Sequence, residues 1–292
     1  MIQGCGKIFK GVRQSQKILR HFNPDLVVGF GSFFTLPMLT AALIERVPFI
    51  LHEQNTIPGK VNRLFAPFAL KTAITFPKTR DYLKGKALKK SVEVVFPLRH
   101  PVPMSQEACW DYFGLQSSKT TLLVFGGSQG AARLNTLVLE AMAQLKQCQV
   151  LHFTGNEERS AEAKKRYQEL QIPACVKSFE PHMDRAMKIS DLAITRAGAS
   201  TILELIEYEL PALLVPFPHA TDDHQEKNGA HFVSLVKAGK MYKESELGPV
   251  FLADAILKQL SCLQEMKNNI IEYKKAHQVQ YLAEVIESVF KK

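Results

Sequence analysis

Apolar runs of four to six residues recur along the chain, separated by longer segments in which apolar residues return every three or four positions. A first series reads DLVVGF (25–30), PFILHE (48–53), KTAITF (71–76) and SVEVVF (91–96). A second reads TTLLVF (120–125), QVLHF (149–153), ACVKSF (174–179), LAITR (192–196) and ALLVPF (212–217). Short, continuous runs of this kind are strands buried on both faces, and their alternation with helix-length amphipathic segments predicts parallel βαβ units. Between the series lies FPLRHPVPM (96–104), with three prolines in nine residues. Proline fixes φ and removes a donor, so this stretch continues neither element. A domain junction is expected there, giving a first domain over 1–98 and a second over 99–276. The tail from 263 reads as two helical stretches, and helix 277–292 is expected to return to the first domain.

The length of 292 residues suits two domains, which implies a cleft between them. With 46% hydrophobic and 22% charged residues, the chain is neither disordered nor membrane-spanning in composition. No apolar run approaches the roughly 20 residues of a spanning helix. Five scattered cysteines with no CxxC spacing argue against a disulfide framework or a zinc site, and for a reducing, cytoplasmic compartment. The net charge of +9 is uneven: residues 1–24 carry Lys7, Lys10, Arg13, Lys17 and Arg20 and no acidic residue. As a helix over 7–22, this segment places Ile8, Val12, Leu19 and Phe22 on one stripe and its cations on the other. Such a helix either packs its stripe into the core or rests on an anionic membrane surface. No aromatic–basic interleaving points to nucleic acid, and no apolar leader region resembles a cleavable signal.

Four stretches carry candidate chemistry. In FGGSQGAARLN (125–135), Gly126 and Gly127 permit positive φ and close approach, while Ser128 and Gln129 offer side-chain donors where a strand turns into a helix. This is a diphosphate-sized turn or merely a tight connection, and it matches neither GxGxxG nor a P-loop. In TRAGASTILELIEYELP (195–211), Ser200 and Thr201 are candidate caps with Glu204 completing a capping box; alternatively the small residues admit a phosphate and Glu204 accepts from a ribose diol. In PFPHATDDHQEKNG (216–229), Asp222, Asp223 and His224 are too close together for a shared metal; an aspartate cap and Gln225 as a sugar-hydroxyl ligand are more economical. In LHEQNTIPGKVNRLFAPFA (51–69), His52, Glu53, Gln54 and Asn55 end a buried strand, at the edge where open α/β sheets bind ligands, or else anchor a loop.

These stretches, in this order, resemble the MurG-type N-acetylglucosaminyltransferases of bacterial peptidoglycan synthesis. The resemblance implies an α/β, GT-B-like fold of two Rossmann-like domains facing across a cleft. It implies transfer of N-acetylglucosamine from UDP-GlcNAc to undecaprenyl-linked lipid I, giving lipid II, at the cytoplasmic face of the bacterial inner membrane, with no bound metal or other cofactor required. Carried over by motif, the donor-binding positions are Asn55, Arg99, Ser128, Gln129, the segment Ala199, Ser200, Thr201, Ile202, Leu203 and Glu204, and Gln225; a main-chain contact to uracil falls at Glu180, where the family has a more apolar residue. His52 and Glu53 are the candidate general bases. The family opens with a GGTGGH-type loop that is not found here, so about 60 residues, two βα units, are expected to be missing from the first domain. The alternatives are a donor- or acceptor-holding subunit that needs a partner, and a related glycolipid transferase.

Overall fold

The computed structural model describes residues 2–98, 103–127 and 131–291; the side chains of residues 2–5 and 221 lie outside the description. The chain divides into two compact units, Met1–Pro97 with Val279–Lys292, and Leu98–Gln278.

The first unit runs α1 (Ile2–Phe22), β1 (Val27–Gly29), α2 (Leu36–Glu45), β2 (Phe49–Glu53), α3 (Lys60–Phe65), β3 (Lys71–Ile74), α4 (Gly85–Lys89) and β4 (Ser91–Val95). The second runs α5 (Gln106–Phe113), β5 (Thr121–Phe125), α6 (Ala132–Ala141), β6 (Gln149–Phe153), α7 (Glu157–Glu169), β7 (Ala174–Lys177), α8 (Met183–Lys188), β8 (Leu192–Thr195), α9 (Ala199–Glu207), β9 (Ala212–Leu214), α10 (His224–Ala230), β10 (Gly239–Met241), α11 (Pro249–Leu260) and α12 (Leu263–Ala276). The chain then re-enters the first unit with β11 (Gln280–Tyr281) and α13 (Leu282–Phe290).

Both sheets are parallel, as the alternating pattern predicts. The first has the order β1-β2-β3-β4-β11, and the second β7-β6-β5-β8-β9-β10. Counted from β5, the second is the doubly wound Rossmann order, with its reversal between β5 and β8. All nine apolar runs form strands. The two strands absent from the pattern, β10 and β11, are two or three residues long and carry Lys240 or the exposed pair Gln280 and Tyr281, so no apolar run marks them.

Every residue of β5, β6, β8 and β9 is buried. The core of the second unit joins them to α6 and α11 through residues such as Leu134, Val138, Leu252 and Ile256. A polar strut crosses it: His152 Nδ1 lies 2.9 Å from the Tyr167 hydroxyl and Nε2 lies 3.2 Å from Asn135 Oδ1, while Asn135 Nδ2 donates to Thr154 O at 3.0 Å. Burial pushes His152 down to about 3, so the ring is neutral and its two nitrogens are divided between one donor and one acceptor. The strut fixes α6 and α7 on β6. At the sheet edge, Gly239 pairs with Ala212 so closely that a Cβ would lie 1.8 Å from Ala212 O.

In the first unit, Val12 and Leu19 of α1 are buried against α2, and Arg20 makes a two-pronged ion pair with Glu45, Nη2 to Oε1 at 2.8 Å and Nε to Oε2 at 2.9 Å. The helix starts earlier than the basic pattern suggests, and Phe22, expected on the buried stripe, is instead 77% exposed at the helix end. Val285 of α13 is buried with Ile50, Ala73 and Val94.

Candidate donor-binding site

The reversal between β5 and β8 leaves a crevice at the carboxyl ends of these strands, because the connections on either side run in opposite directions. A cavity of about 330 Å³ opens there. Its walls include Gly127 after β5, Gly155 after β6, Phe179 and Glu180 after β7, and Ser200, Thr201 and Glu204 of α9. Gly127 and Gly155 both hold positive φ, +85° and +89°, which lets the main chain turn sharply at the rim. Phe125, Phe153 and Phe179 supply apolar surface. The cavity thus joins flat apolar walls suited to a base, a carboxylate suited to a diol, and the start of α9, suited to phosphate.

The start of α9 differs from the capping-box expectation. Its N-cap is Gly198, and no side-chain hydrogen bond caps it among the described residues. A capping box needs its acid three residues after the cap, which is Thr201 and not Glu204. Ser200 and Thr201 therefore lie in the first turn, and Glu204 lines the cavity. Ala199 and Leu203 are half-buried and Ser200 exposed, whereas Ile202 is fully buried in the core. Of the expected segment, Ile202 has no side chain to offer a ligand.

Gln225 is in the first turn of α10, where its Oε1 accepts from Phe217 N at 2.9 Å. Asp223 occupies the N-cap position expected of an aspartate, but in a left-handed conformation and without a side-chain cap bond among the described residues. The loop bearing Gln225 is held by a residue that sequence reasoning passed over. Arg196, 8% exposed at the end of β8, donates to Val215 O at 3.1 Å and Pro216 O at 3.2 Å and pairs with Glu244 at 2.5 Å. Nothing local marks Arg196 for this role, since its partners lie 19 to 48 residues away.

In the first unit, β2 carries His52 and Glu53, both buried. Glu53 Oε1 accepts from Asn55 N at 2.9 Å, and Oε2 accepts from Gly59 N at 2.9 Å and Asn62 Nδ2 at 2.8 Å. These bonds tie down the Pro58–Gly59 turn, and Asn55 O in turn accepts from Thr79 Oγ1 at 3.1 Å. His52 lies edge-on to Phe30 with ring centroids 5.5 Å apart, with Phe96 at 6.2 Å and Thr75 Oγ1 3.5 Å from Nε2. Burial pushes its pKa down to about 4, and Nδ1 has no hydrogen-bond partner among the described residues. Arg99, Ser128 and Gln129 lie outside the described residues. Among the described residues no three His, Cys, Asp or Glu side chains are grouped to hold a metal.

Residues 121–287 match the glycosyltransferase family 28 C-terminal domain, and residues 1–74 match its N-terminal domain. A relative from Protochlamydia amoebophila is 42% identical over 94% of this chain and 74% of its own length. It is named UDP-N-acetylglucosamine–N-acetylmuramyl-(pentapeptide) pyrophosphoryl-undecaprenol N-acetylglucosamine transferase. A relative of the same name from Halothermothrix orenii is 35% identical over 82% of this chain and 67% of its own. The crystal structure of MurG from Acinetobacter baumannii is similar in fold, with a TM-score of 0.79 over 98% of this chain and 80% of that one, at 24% identity.

Proposed function

The chain belongs to glycosyltransferase family 28, and from this premise we propose that it transfers N-acetylglucosamine from UDP-GlcNAc to the muramyl-pentapeptide diphosphate lipid, lipid I, to give lipid II. The observation that carries this reading is the cavity at the β5/β8 reversal, where a glycine turn, the start of α9 and Glu204 share one wall system sized for a nucleoside diphosphate. Glu204 accepts the ribose hydroxyls, and Gln225 binds the sugar's hydroxyl edge, for which an amide's paired donor and acceptor are suited.

Chemically, the acceptor hydroxyl attacks the anomeric carbon from the face opposite UDP and inverts it through an oxocarbenium-like transition state. Negative charge grows on the departing diphosphate. Main-chain N–H groups at the first turn of α9 are oriented before the reaction, so they favour that charge more in the transition state than in the ground state. On this reading the helix start, and not a bound metal, meets the diphosphate. His52 is the candidate base for its place at the carboxyl end of β2 and its Nδ1, unpartnered among the described residues; burial, which lowers its pKa to about 4, keeps the ring neutral at physiological pH while weakening its hold on a proton. Glu53, whose two oxygens already accept three N–H bonds, serves as the loop's anchor.

Association with an anionic membrane surface on the cytoplasmic side completes the proposal. It is supported by Lys10, Arg13 and Lys17 exposed on α1, together with exposed Phe9, Ile18 and Phe22 and the exposed Phe33 and Phe34 that follow β1. No helix among the described residues is long and apolar enough to cross a membrane.

The test is radiolabel transfer from UDP-GlcNAc to lipid I, with calorimetry of the donor alone. Transfer that persists in EDTA is expected. Absence of UDP-GlcNAc binding would overturn the reading, and binding without transfer would favour a donor-holding subunit.

A further inference from the structure

Behind the cavity wall lies a group of charged and aromatic side chains that the proposed reaction does not use. The Glu180 side chain is completely buried, and its carboxylate accepts from Lys177 Nζ at 2.6 Å, His182 N at 2.9 Å and the Tyr112 hydroxyl at 3.3 and 3.4 Å. Lys177 Nζ lies 4.4 Å from the Tyr112 ring centroid and 5.0 Å from that of Phe113, and the Arg185 guanidinium lies 4.8 Å from the Tyr112 ring. Three pieces of chain meet at one carboxylate, α5 through Tyr112, the end of β7 through Lys177 and the connecting loop through Glu180 and His182, and α8 joins them through Arg185 against the Tyr112 ring.

Burying a carboxylate is unfavourable unless it is paired and hydrogen-bonded, so a fully buried one holds its surroundings to a single arrangement. Desolvation alone would raise the Glu180 pKa, yet the bonds from Lys177 and His182 N hold it below the usual carboxylate range. Lys177, despite its own desolvation, is held above its ordinary value by the same pair. What this arrangement fixes is the short segment 178–182. Ser178 O accepts from Gly155 N at 2.9 Å, and Ser178 Oγ donates to Glu157. The Phe179 ring, 68% exposed, stands at the cavity. Because the Glu180 carboxylate is turned into the cluster, this residue meets the cavity with its main chain.

We propose that the Lys177–Glu180–Tyr112 cluster is a positioning device that aims the main chain at Phe179–Glu180 so that it recognises the hydrogen-bonding edge of uracil and rejects cytosine. This rests on the UDP-sugar reading above. Uracil presents an N3–H donor between two carbonyls, whereas cytosine presents an N3 acceptor beside an amino donor. A rigid main-chain carbonyl and N–H pair that suits the first leaves unpaired groups against the second. A loosened segment would adapt to either base and lose the distinction.

The experiment measures UDP and CDP binding calorimetrically at neutral pH in the full chain, for wild type and for E180Q, E180Q/K177M and Y112F. Wild type is expected to prefer UDP. In E180Q the UDP affinity should fall about tenfold or more while CDP changes little, shrinking the preference by the same factor. E180Q leaves the Lys177 ammonium without its carboxylate, so the double variant, which removes both charges, guards against simple misfolding and should keep the reduced preference. Y112F removes one hydroxyl from a residue 40% exposed and should shrink the preference about three- to tenfold. In turnover, the KM for UDP-GlcNAc should rise with kcat nearly unchanged. A wild-type UDP/CDP ratio in all three variants would overturn the proposal, as would equal weakening of both nucleotides, which is what a merely structural role gives. A wild type that binds both nucleotides equally would also overturn it. A wild type that binds neither overturns the donor-site reading itself, an outcome distinct from these.

Discussion

At the scale of single residues, the site separates groups that touch ligand from groups that hold them. Glu204→Ala and Gln225→Ala should each weaken UDP-GlcNAc binding by about 1 to 3 kcal/mol through lost hydrogen bonds. Calorimetry with UDP alone tells the two apart, because only Glu204 should matter without the sugar. His52→Ala should lower kcat by about 10²- to 10⁴-fold with little change in donor KM, if the ring takes the acceptor proton. Steady-state rates with lipid I check this, and an unchanged kcat would remove His52 from the chemistry. Histidine also sets a pH dependence. The buried His152 ring has a folded pKa of about 3, well below its ordinary 6.5, so the unfolded chain takes up the proton first. The stability it contributes is complete above about pH 6.5 and is lost as pH falls toward 3. At pH 4 this single group should cost about 3 kcal/mol relative to pH 8, and denaturant titrations across that range should show the slope. His52, lowered to about 4, adds to it in the same direction.

Legibility at this scale follows locality. Glu204 and Gln225 stand out because their neighbours in the chain already form strand-to-helix turns. Arg196 and the Glu180 cluster do not, since Arg196 depends on Glu244 and Glu180 on Tyr112, each far away in sequence.

At the scale of elements, the pattern of apolar runs was readable because strands covered on both faces must be apolar throughout. The phase of a helix start was not. Two residues decide whether Ser200 is a cap or a first-turn residue, and the small side chains of Gly198, Ala199 and Ser200 leave that choice open until the backbone is seen. The edge strands β10 and β11 are likewise silent in the pattern, yet β10 carries a strict requirement. Gly239→Ala would drive a methyl into the Ala212 carbonyl, so β10 must part from β9. A loss of more than about 2 kcal/mol in chemical denaturation is expected, in the range of mutations that disrupt a special backbone position. Helix α1 has the opposite property, with its buried stripe fixed in the core and its cations directed outward. Reversal of charge at Lys10, Arg13 and Lys17 should reduce co-sedimentation with anionic liposomes, and wild-type binding should weaken as salt screens the charges. Binding that ignores both salt and these substitutions would rule out the electrostatic role.

At the scale of the whole molecule, the two units differ in how the chain builds them. The second, Leu98–Gln278, is continuous, whereas the first takes its β11 strand and its Val285 core contact from the far end of the sequence. Removing residues 279–292 should therefore speed proteolysis within the first unit and leave the second protected, as mass spectrometry of the fragments would show. The same division has a meaning in time. A ribosome making this chain delivers most of the first unit early, then the entire second unit, and only then the strand and helix that close the first sheet. The second unit can fold as it emerges. The unit begun earlier must wait, with Ile50, Ala73 and Val94 lacking their cover, until residues 279–292 have emerged, so a stop shortly after residue 278 would damage the unit made before it.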